Sequence, residues 1–293
     1  MRPSVLVTAV AVVLTGGLAA CGTSSSSSSG GTGASNSPSP STISCTRAGL
    51  SHELLTSGVL TVATDNPVYT PWFVSNTPSN GKGYESAVAY AIGSQLGFAK
   101  SQVVWVHEPF TSAYAPGPKA FDFDINEVSV TAARATAVTF STSYYPVQQS
   151  IVALKGTPIV TKHSPAQLKT YLYGDQIGTT GLTFITDNIQ PTTQPKVFDT
   201  LAEAAAALAA HRIDALVTDT PTAQYMASAQ LKHGILVAQF PSVGEHYGLV
   251  FHQGNPLAAC VDKAIAALTS NGTLTALQKR WLGIYTGFPT IAP

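Results

Sequence analysis

Ser129, Thr131 and Arg134 follow the apolar run Phe123-Asp124-Ile125-Asn126-Glu127-Val128. The run reads as a strand that enters a Ser-x-Thr turn, with the arginine one helical turn further on. A guanidinium is a planar fork that matches the two oxygens of a carboxylate with parallel, charge-assisted hydrogen bonds. Hydroxyls and backbone donors beside it make a carboxylate-binding device. Taken alone, such an arginine would be a surface residue capping a loop. A second chemical feature is Asp219, at the end of the apolar stretch 213–218. A carboxylate there has little structural purpose, unless it caps a helix that begins around Pro221.

Little else in the chain suggests chemistry. The seven histidines are scattered, and no nucleophile–histidine–acid set, metal-ligand spacing or phosphate loop stands out. No metal and no cofactor is expected. The 293 residues are 44% hydrophobic and 10% charged, with a formal net charge of zero. That is enough chain for one large or two ordinary domains with a substantial core. Without a basic stripe, nucleic acid is not an expected partner, and a monomer is expected.

Residues 1–20 have the features of an export signal. Arg2 gives a short positive start, 5–14 is apolar, and Leu18-Ala19-Ala20 precedes Cys21. The run is short for a membrane span and ends in small residues, as at a cleavage site. Leu-Ala-Ala-Cys resembles the bacterial lipobox, so Cys21 is the expected lipidation site and the protein is expected on the outer face of the cell membrane. Residues 21–44, rich in Ser, Gly and Pro, cannot bury apolar surface and are expected to be a disordered tether. With Cys21 lipidated, Cys45 and Cys260 remain, and an oxidising compartment favours one disulfide over two separate buried thiols. Closing so long a loop contributes about 4–5 kcal/mol in the chain-entropy picture.

From residue 45 onward, strand and helix patterns alternate. Val59-Leu60-Thr61-Val62-Ala63, Val103-Val104-Trp105-Val106, 123–128, 151–154, 213–218 and 247–251 read as strands. Residues 85–96 place Val88, Ala91, Ile92 and Leu96 at helical spacing before Gly97. Thr200-Leu201-Ala202-Glu203 is a capping box that opens a helix to about 210. Asn255 and Pro256 introduce a helix through Leu268, and Leu274, Leu277 and Trp281 fit a last one. This alternation is the signature of an α/β fold.

Five blocks, in this order, resemble the extracellular solute-binding proteins of family 3, which deliver amino acids to ABC importers. They are Leu60-Thr61-Val62-Ala63-Thr64-Asp65 with Tyr69-Thr70-Pro71-Trp72-Phe73; Gly83-Tyr84-Glu85; Ser129-x-Thr131-x-x-Arg134 with Phe140-Ser141-x-x-Tyr144; Gly178-Thr179-Thr180 with Ile213-Asp214-Ala215-Leu216-Val217-Thr218-Asp219; and Gly272-Thr273-Leu274 running to Trp281-Leu282-Gly283. The resemblance covers 58–283. It implies a two-lobed, periplasmic-binding-protein-like type II fold, with two crossover strands and a ligand cleft between the lobes. Residues 45–149 and 246–293 would form lobe I, and 150–245 lobe II.

The same resemblance implies roles for single residues. Arg134 would clamp the ligand carboxylate, helped by Ser129 and by Thr180 from the other lobe. Thr131 belongs to that group and is also suited to shaping the turn. Asp219, with the backbone near Ser129, would take the ammonium. Tyr69 and Phe110 would wall the side-chain pocket, with Asp65 and Gln176 contacting polar ends and Trp72 nearby. One extra residue lies between Asp65 and Tyr69. Ala87 stands where relatives carry an aspartate, a structural change. Glu127 occupies a position that is small or amide in relatives, and its side chain is expected to point away from the cleft.

The expected function follows. A lipid-anchored, non-enzymatic binding component of an amino-acid ABC importer would capture a polar or cationic L-amino acid by lobe closure, and present it to a membrane permease. Two alternatives remain: a dehydratase-like enzyme on the same fold, for which Glu127 is the candidate acid, and an amino-acid sensor without transport.

Overall fold

The computed structural model describes residues 44–283 and 288–291. The signal segment, the lipidation site Cys21 and the tether up to residue 43 lie outside the described residues. No helix among the described residues is long and apolar enough to cross a membrane.

In chain order, the first group of elements is β1 (Leu60–Thr64), α1 (Tyr84–Gln95), β2 (Val103–His107), α2 (Phe110–Ala113), β3 (Phe123–Asp124) and β4 (Thr139–Phe140). A short strand β5 (Tyr145–Pro146) leads to the second group. That group comprises β6 (Gln149–Leu154), α3 (Pro165–Leu168), β7 (Gly174–Gln176), α4 (Thr180–Phe184), β8 (Lys196–Phe198), α5 (Leu201–Ala209), β9 (Ala215–Asp219), α6 (Thr220–Tyr225) and β10 (Gly234–Gln239). The chain returns through β11 (His246–Tyr247) to β12 (Val250–Phe251), α7 (Leu257–Ser270) and α8 (Thr273–Trp281).

Two lobes result, each built on its own sheet. The first sheet has the order β2-β1-β3-β12-β4. Its first three strands are parallel, and β12 returns antiparallel between β3 and β4. The second is the antiparallel sheet β10-β6-β9, with the parallel pair β7-β8 beside it. Between the lobes, the outgoing β5 and the returning β11 pair antiparallel, His246 opposite Pro146 and Tyr247 opposite Tyr145.

Strand burial explains the apolar runs. Along β6, Ile151 and Ala153 join one hydrophobic cluster while Val152 and Leu154 join another. Successive side chains of a strand point to opposite faces, so a sheet covered on both sides is apolar at every position. In the first lobe, α1, α7 and α8 pack together over the sheet, with Val88, Ile92, Val261, Ile265 and Leu274 in one core. The capping box at α5 is formed: the Glu203 amide donates to Thr200 Oγ1 at 3.2 Å, and the Thr200 amide to Glu203 Oε2 at 3.1 Å.

Two expectations are corrected. The strand expected over 123–128 keeps only Phe123 and Asp124 in regular pairing. Ile125 still donates to the Ala63 carbonyl, but at Glu127 the backbone turns through φ +53° and the ladder ends. That turn swings the following residues into the cleft. The C-terminal residues 288–291, expected with lobe I, run along β10 instead. The Gln239 amide donates to the Pro289 carbonyl at 2.8 Å, the Ile291 amide donates to the Gln239 carbonyl at 3.0 Å, and Ile291 is buried in the second lobe's core.

Candidate functional site

A cavity of about 140 Å³ lies between the two lobes. From the first lobe it is lined by Asp65, Tyr69, Phe110, Asn126, Glu127, Ser129 and Arg134. From the second it is lined by Gln149, Asp175, Gln176, Thr179, Thr180 and Asp219.

Arg134 is buried, and its own turn fixes its position. Its backbone amide donates to Thr131 Oγ1 at 3.2 Å, and Nη1 donates to the Ser129 carbonyl at 2.6 Å. Thr131 therefore shapes the turn and does not line the cavity, which corrects its expected place among the carboxylate contacts. Nη2 crosses the cleft to the Gly178 carbonyl at 2.7 Å. The guanidinium carbon lies 4.2 Å from the Tyr114 ring centroid and 5.6 Å from that of Phe110, within cation–π range. Burial lowers its pKa, and the nearby Tyr114 and Glu245 work against that shift. Among the described residues, no carboxylate lies within ion-pairing distance of Arg134.

Gly178 makes this closeness possible. Its φ is +76°, and a Cβ there would come within 2.4 Å of the Tyr114 hydroxyl. The left-handed backbone and the approach of the opposite lobe both call for glycine. Two residues on, Thr180 starts α4, and its hydroxyl is 3.3 Å from Ser129 Oγ. Ser129 Oγ also donates to Glu245 Oε1 at 2.6 Å, while Gln149 Nε2 donates to Glu245 Oε2 at 3.0 Å. Sequence reasoning missed Glu245, which has no pattern to mark it.

Asp219 caps α6. The Thr222 amide donates to its Oδ2 at 3.1 Å, and the Thr218 hydroxyl to its Oδ1 at 3.1 Å. It is 6% exposed, and burial raises its pKa against those hydrogen bonds. Capping and facing the cavity go together here.

Glu127 overturns the expectation that it points away. It lines the cavity, and its Oε2 accepts a hydrogen bond from Thr222 Oγ1 at 3.2 Å. Its amide donates to Glu85 Oε1 at 2.7 Å, the same oxygen that accepts the Tyr144 hydroxyl. Burial pushes the Glu127 carboxyl well above the usual range, and the negative charges of Asp219 and Glu85 add to the shift. Glu85 is itself fully buried and pushed up to about 8, chiefly by desolvation.

The proposed side-chain pocket is partly as expected. Tyr69 and Phe110 line it, as does Asp65, whose Oδ1 is 3.3 Å from His107 Nε2. Gln176 lines it too, with its Oε1 accepting from the Leu201 amide at 3.2 Å. Trp72 does not: it is fully buried in the first lobe's core, edge-on to Tyr84, Tyr145 and Tyr247. Its Nε1 donates to Thr222 Oγ1 at 2.7 Å, so it supports the site from behind. Missed at the sequence level were Asn126, Gln149 and Asp175. Each is buried and lines the cavity, and each also keeps one polar atom, sealed from solvent, without a hydrogen-bond partner: Asn126 Nδ2, Gln149 Oε1 and Asp175 Oδ2. Such atoms are rare in folded chains.

Cys45 and Cys260 are joined, with an S–S distance of 1.98 Å and Cα atoms 5.2 Å apart.

Residues 60–284 match the bacterial extracellular solute-binding proteins, family 3. The chain belongs to that family. Similar solved structures agree on the fold. An ancestral arginine-binding protein bound to arginine is 27% identical, with a TM-score of 0.64 over 76% of this chain and 98% of that one. The structure of an ancestral arginine-binding protein bound to glutamine gives 26% identity and a TM-score of 0.65, covering 77% and 98%. An ancestral amino-acid-binding protein described as a precursor of cyclohexadienyl dehydratase is 26% identical, with a TM-score of 0.63 over 76% and 95%.

Proposed function

We propose that this solute-binding protein captures a cationic L-amino acid and serves, anchored by lipid on Cys21, as the binding component of an amino-acid ABC importer. The observation that carries the ligand reading is the charge pattern of the cavity. One buried guanidinium, Arg134, faces four acidic side chains, Asp65, Glu127, Asp175 and Asp219. A ligand carboxylate suits the N–H groups of Arg134 left over from its two carbonyl bonds, with Ser129 and Thr180 beside it. An α-ammonium suits Asp219. The remaining acid at that end, Asp65, favours a second positive charge on the side chain, between Tyr69 and Phe110, while burial pushes Asp175 well above the usual carboxylate range. The ancestral relative bound to arginine supports the same class.

Capture would proceed by closure. The ligand binds one lobe and then gains contacts from the other, which shifts the population by the difference in affinity. Importer membership, the permease partner and the membrane location rest on the family and on the signal-like N-terminus. The proposed lobe limits are 45–149 with the returning segment from 246, and 150–245.

Calorimetric titration of the chain against the twenty amino acids tests the reading. L-arginine or L-lysine is expected to bind most tightly, and L-glutamate not to bind. Arg134→Ala is expected to weaken binding at least about a hundredfold while the fold persists, since a charge-assisted pair in a closed cleft is worth several kcal/mol. Silence across the panel would end the amino-acid reading.

A second reading has one observation in its favour. Glu127 is a cleft carboxyl held in its proton-bearing form, as a general acid would be, and one relative is described as a dehydratase precursor. Turnover of prephenate by the chain would establish it. Asp219 stands against it, because a dicarboxylate substrate would meet a buried negative charge.

A further inference from the structure

The Glu127 carboxyl has no counterpart in the reading of a single ammonium acceptor. Its position is determined from three sides. The backbone is held in the left-handed region at φ +53°, with the amide tied to Glu85. The side chain is tied to the Thr222 hydroxyl, which in turn accepts from the Trp72 indole. The Thr222 amide binds Asp219. One threonine therefore ties Glu127 and Asp219 to the same part of the cavity wall, its hydroxyl to the first and its amide to the second. Neighbouring carboxylates bound to one residue disfavour ionising together, so the pair retains one proton.

We propose that Glu127 and Asp219 form a carboxyl–carboxylate pair that holds one proton until a ligand ammonium takes its place, so that capture releases that proton to solvent. This rests on the amino-acid reading above and adds Glu127 as a second ammonium-binding side chain. The charges around the pair favour this exchange. Glu85 lies beneath it on α1, Tyr144 and Tyr247 face it from the hinge, and the one cation lining the cavity is Arg134. Among the described residues no cation neutralises the pair, whereas an ammonium has three donors for its oxygens.

The sign follows from linkage. Burial and Asp219 raise the affinity of Glu127 for its proton, and the bound ammonium lowers it. At pH below the raised value, each ligand displaces one proton, and affinity strengthens by about tenfold per pH unit. Above that value the pair has already ionised, and the dependence disappears.

Titration calorimetry of the intact chain with L-arginine, in buffers of different ionisation heat, tests the pair. Near pH 6–7 the observed enthalpy should vary linearly with the buffer heat, with a slope corresponding to about one proton released. Glu127→Gln should bind more weakly and lose that slope. Buffer-independent enthalpies in the native chain, or an unchanged slope in the variant, would overturn the proposal. Infrared titration of the chain alone provides an arm that needs no ligand. A carboxyl C=O band should persist above pH 6 and lose the intensity of one group in Glu127→Gln, or in Asp219→Asn if the first variant does not fold. No loss in the folded variant would overturn the pair. If L-arginine fails to bind while the band behaves as expected, the amino-acid reading fails and the proton-sharing pair stands.

Discussion

At the residue scale, Glu85 carries the most unusual burden. It is fully buried, its Oε1 receives the Glu127 amide and the Tyr144 hydroxyl, and its Oε2 has no partner. Desolvation lifts its pKa from 4.5 to about 8, so the folded chain holds a proton that the unfolded chain has released. Stability contributed by this group is present below pH 4.5 and falls as the pH rises towards about 8. Glu85→Gln keeps an oxygen for both donors and never ionises. It should leave the melting temperature nearly unchanged at pH 5 and raise it by several degrees at pH 9, as followed by thermal melts. An equal shift at both pH values would show that Glu85 does not titrate. Glu85 and Arg134 lie in short local motifs of the chain, Gly83-Tyr84-Glu85 and Ser129-x-Thr131-x-x-Arg134, and were legible for that reason. Asp175 and Glu245 were not, because their roles depend on neighbours brought from distant parts of the chain.

Long elements were legible because their periodicity is a burial record: β6, α1 and α7 follow it closely. The segment after β3 was not, because its apolar residues continue the strand pattern while φ at Glu127 breaks the ladder. That break decides the orientation of Asn126 and Glu127, and no hydropathy pattern encodes it. Closure between elements depends on a similar local detail. The β7–α4 turn meets the α2 segment at Gly178, where Tyr114 Oη and Arg134 Nη2 both reach its carbonyl, at 3.3 and 2.7 Å. Gly178→Ala adds a Cβ into the Tyr114 hydroxyl and strains a left-handed residue by about 1 kcal/mol. Affinity for L-arginine should drop at least about tenfold. Tyr114→Phe removes the clashing oxygen, so the double variant should recover part of the loss. Additive losses in a double-mutant cycle would mean that the two elements do not meet in the bound form.

The whole molecule combines two lobes, a paired hinge and one covalent tie. The tie does not cross the cleft. Cys45 precedes β1 and Cys260 lies in α7, and both pack against the same core, that of the first lobe. The lobes are connected instead by β5 and β11, with 288–291 lying on the second lobe's sheet. Stability and ligand capture should therefore separate. The bridge closes a loop of sequence separation 215, for which chain entropy sets a contribution of about 5 kcal/mol as an upper value. Replacing both cysteines with serine should lower the melting temperature by on the order of 10 °C, given the few degrees per kcal/mol of a chain this size. Affinity for L-arginine, measured well below that temperature, should stay within about twofold, because the bridge packs with the first lobe's core and neither cysteine lines the cavity. A large loss of affinity at preserved fold would show that the first lobe's shape, and not only its stability, depends on the bridge. The cleft would then read the redox state of its surroundings through the position of α7 against α1.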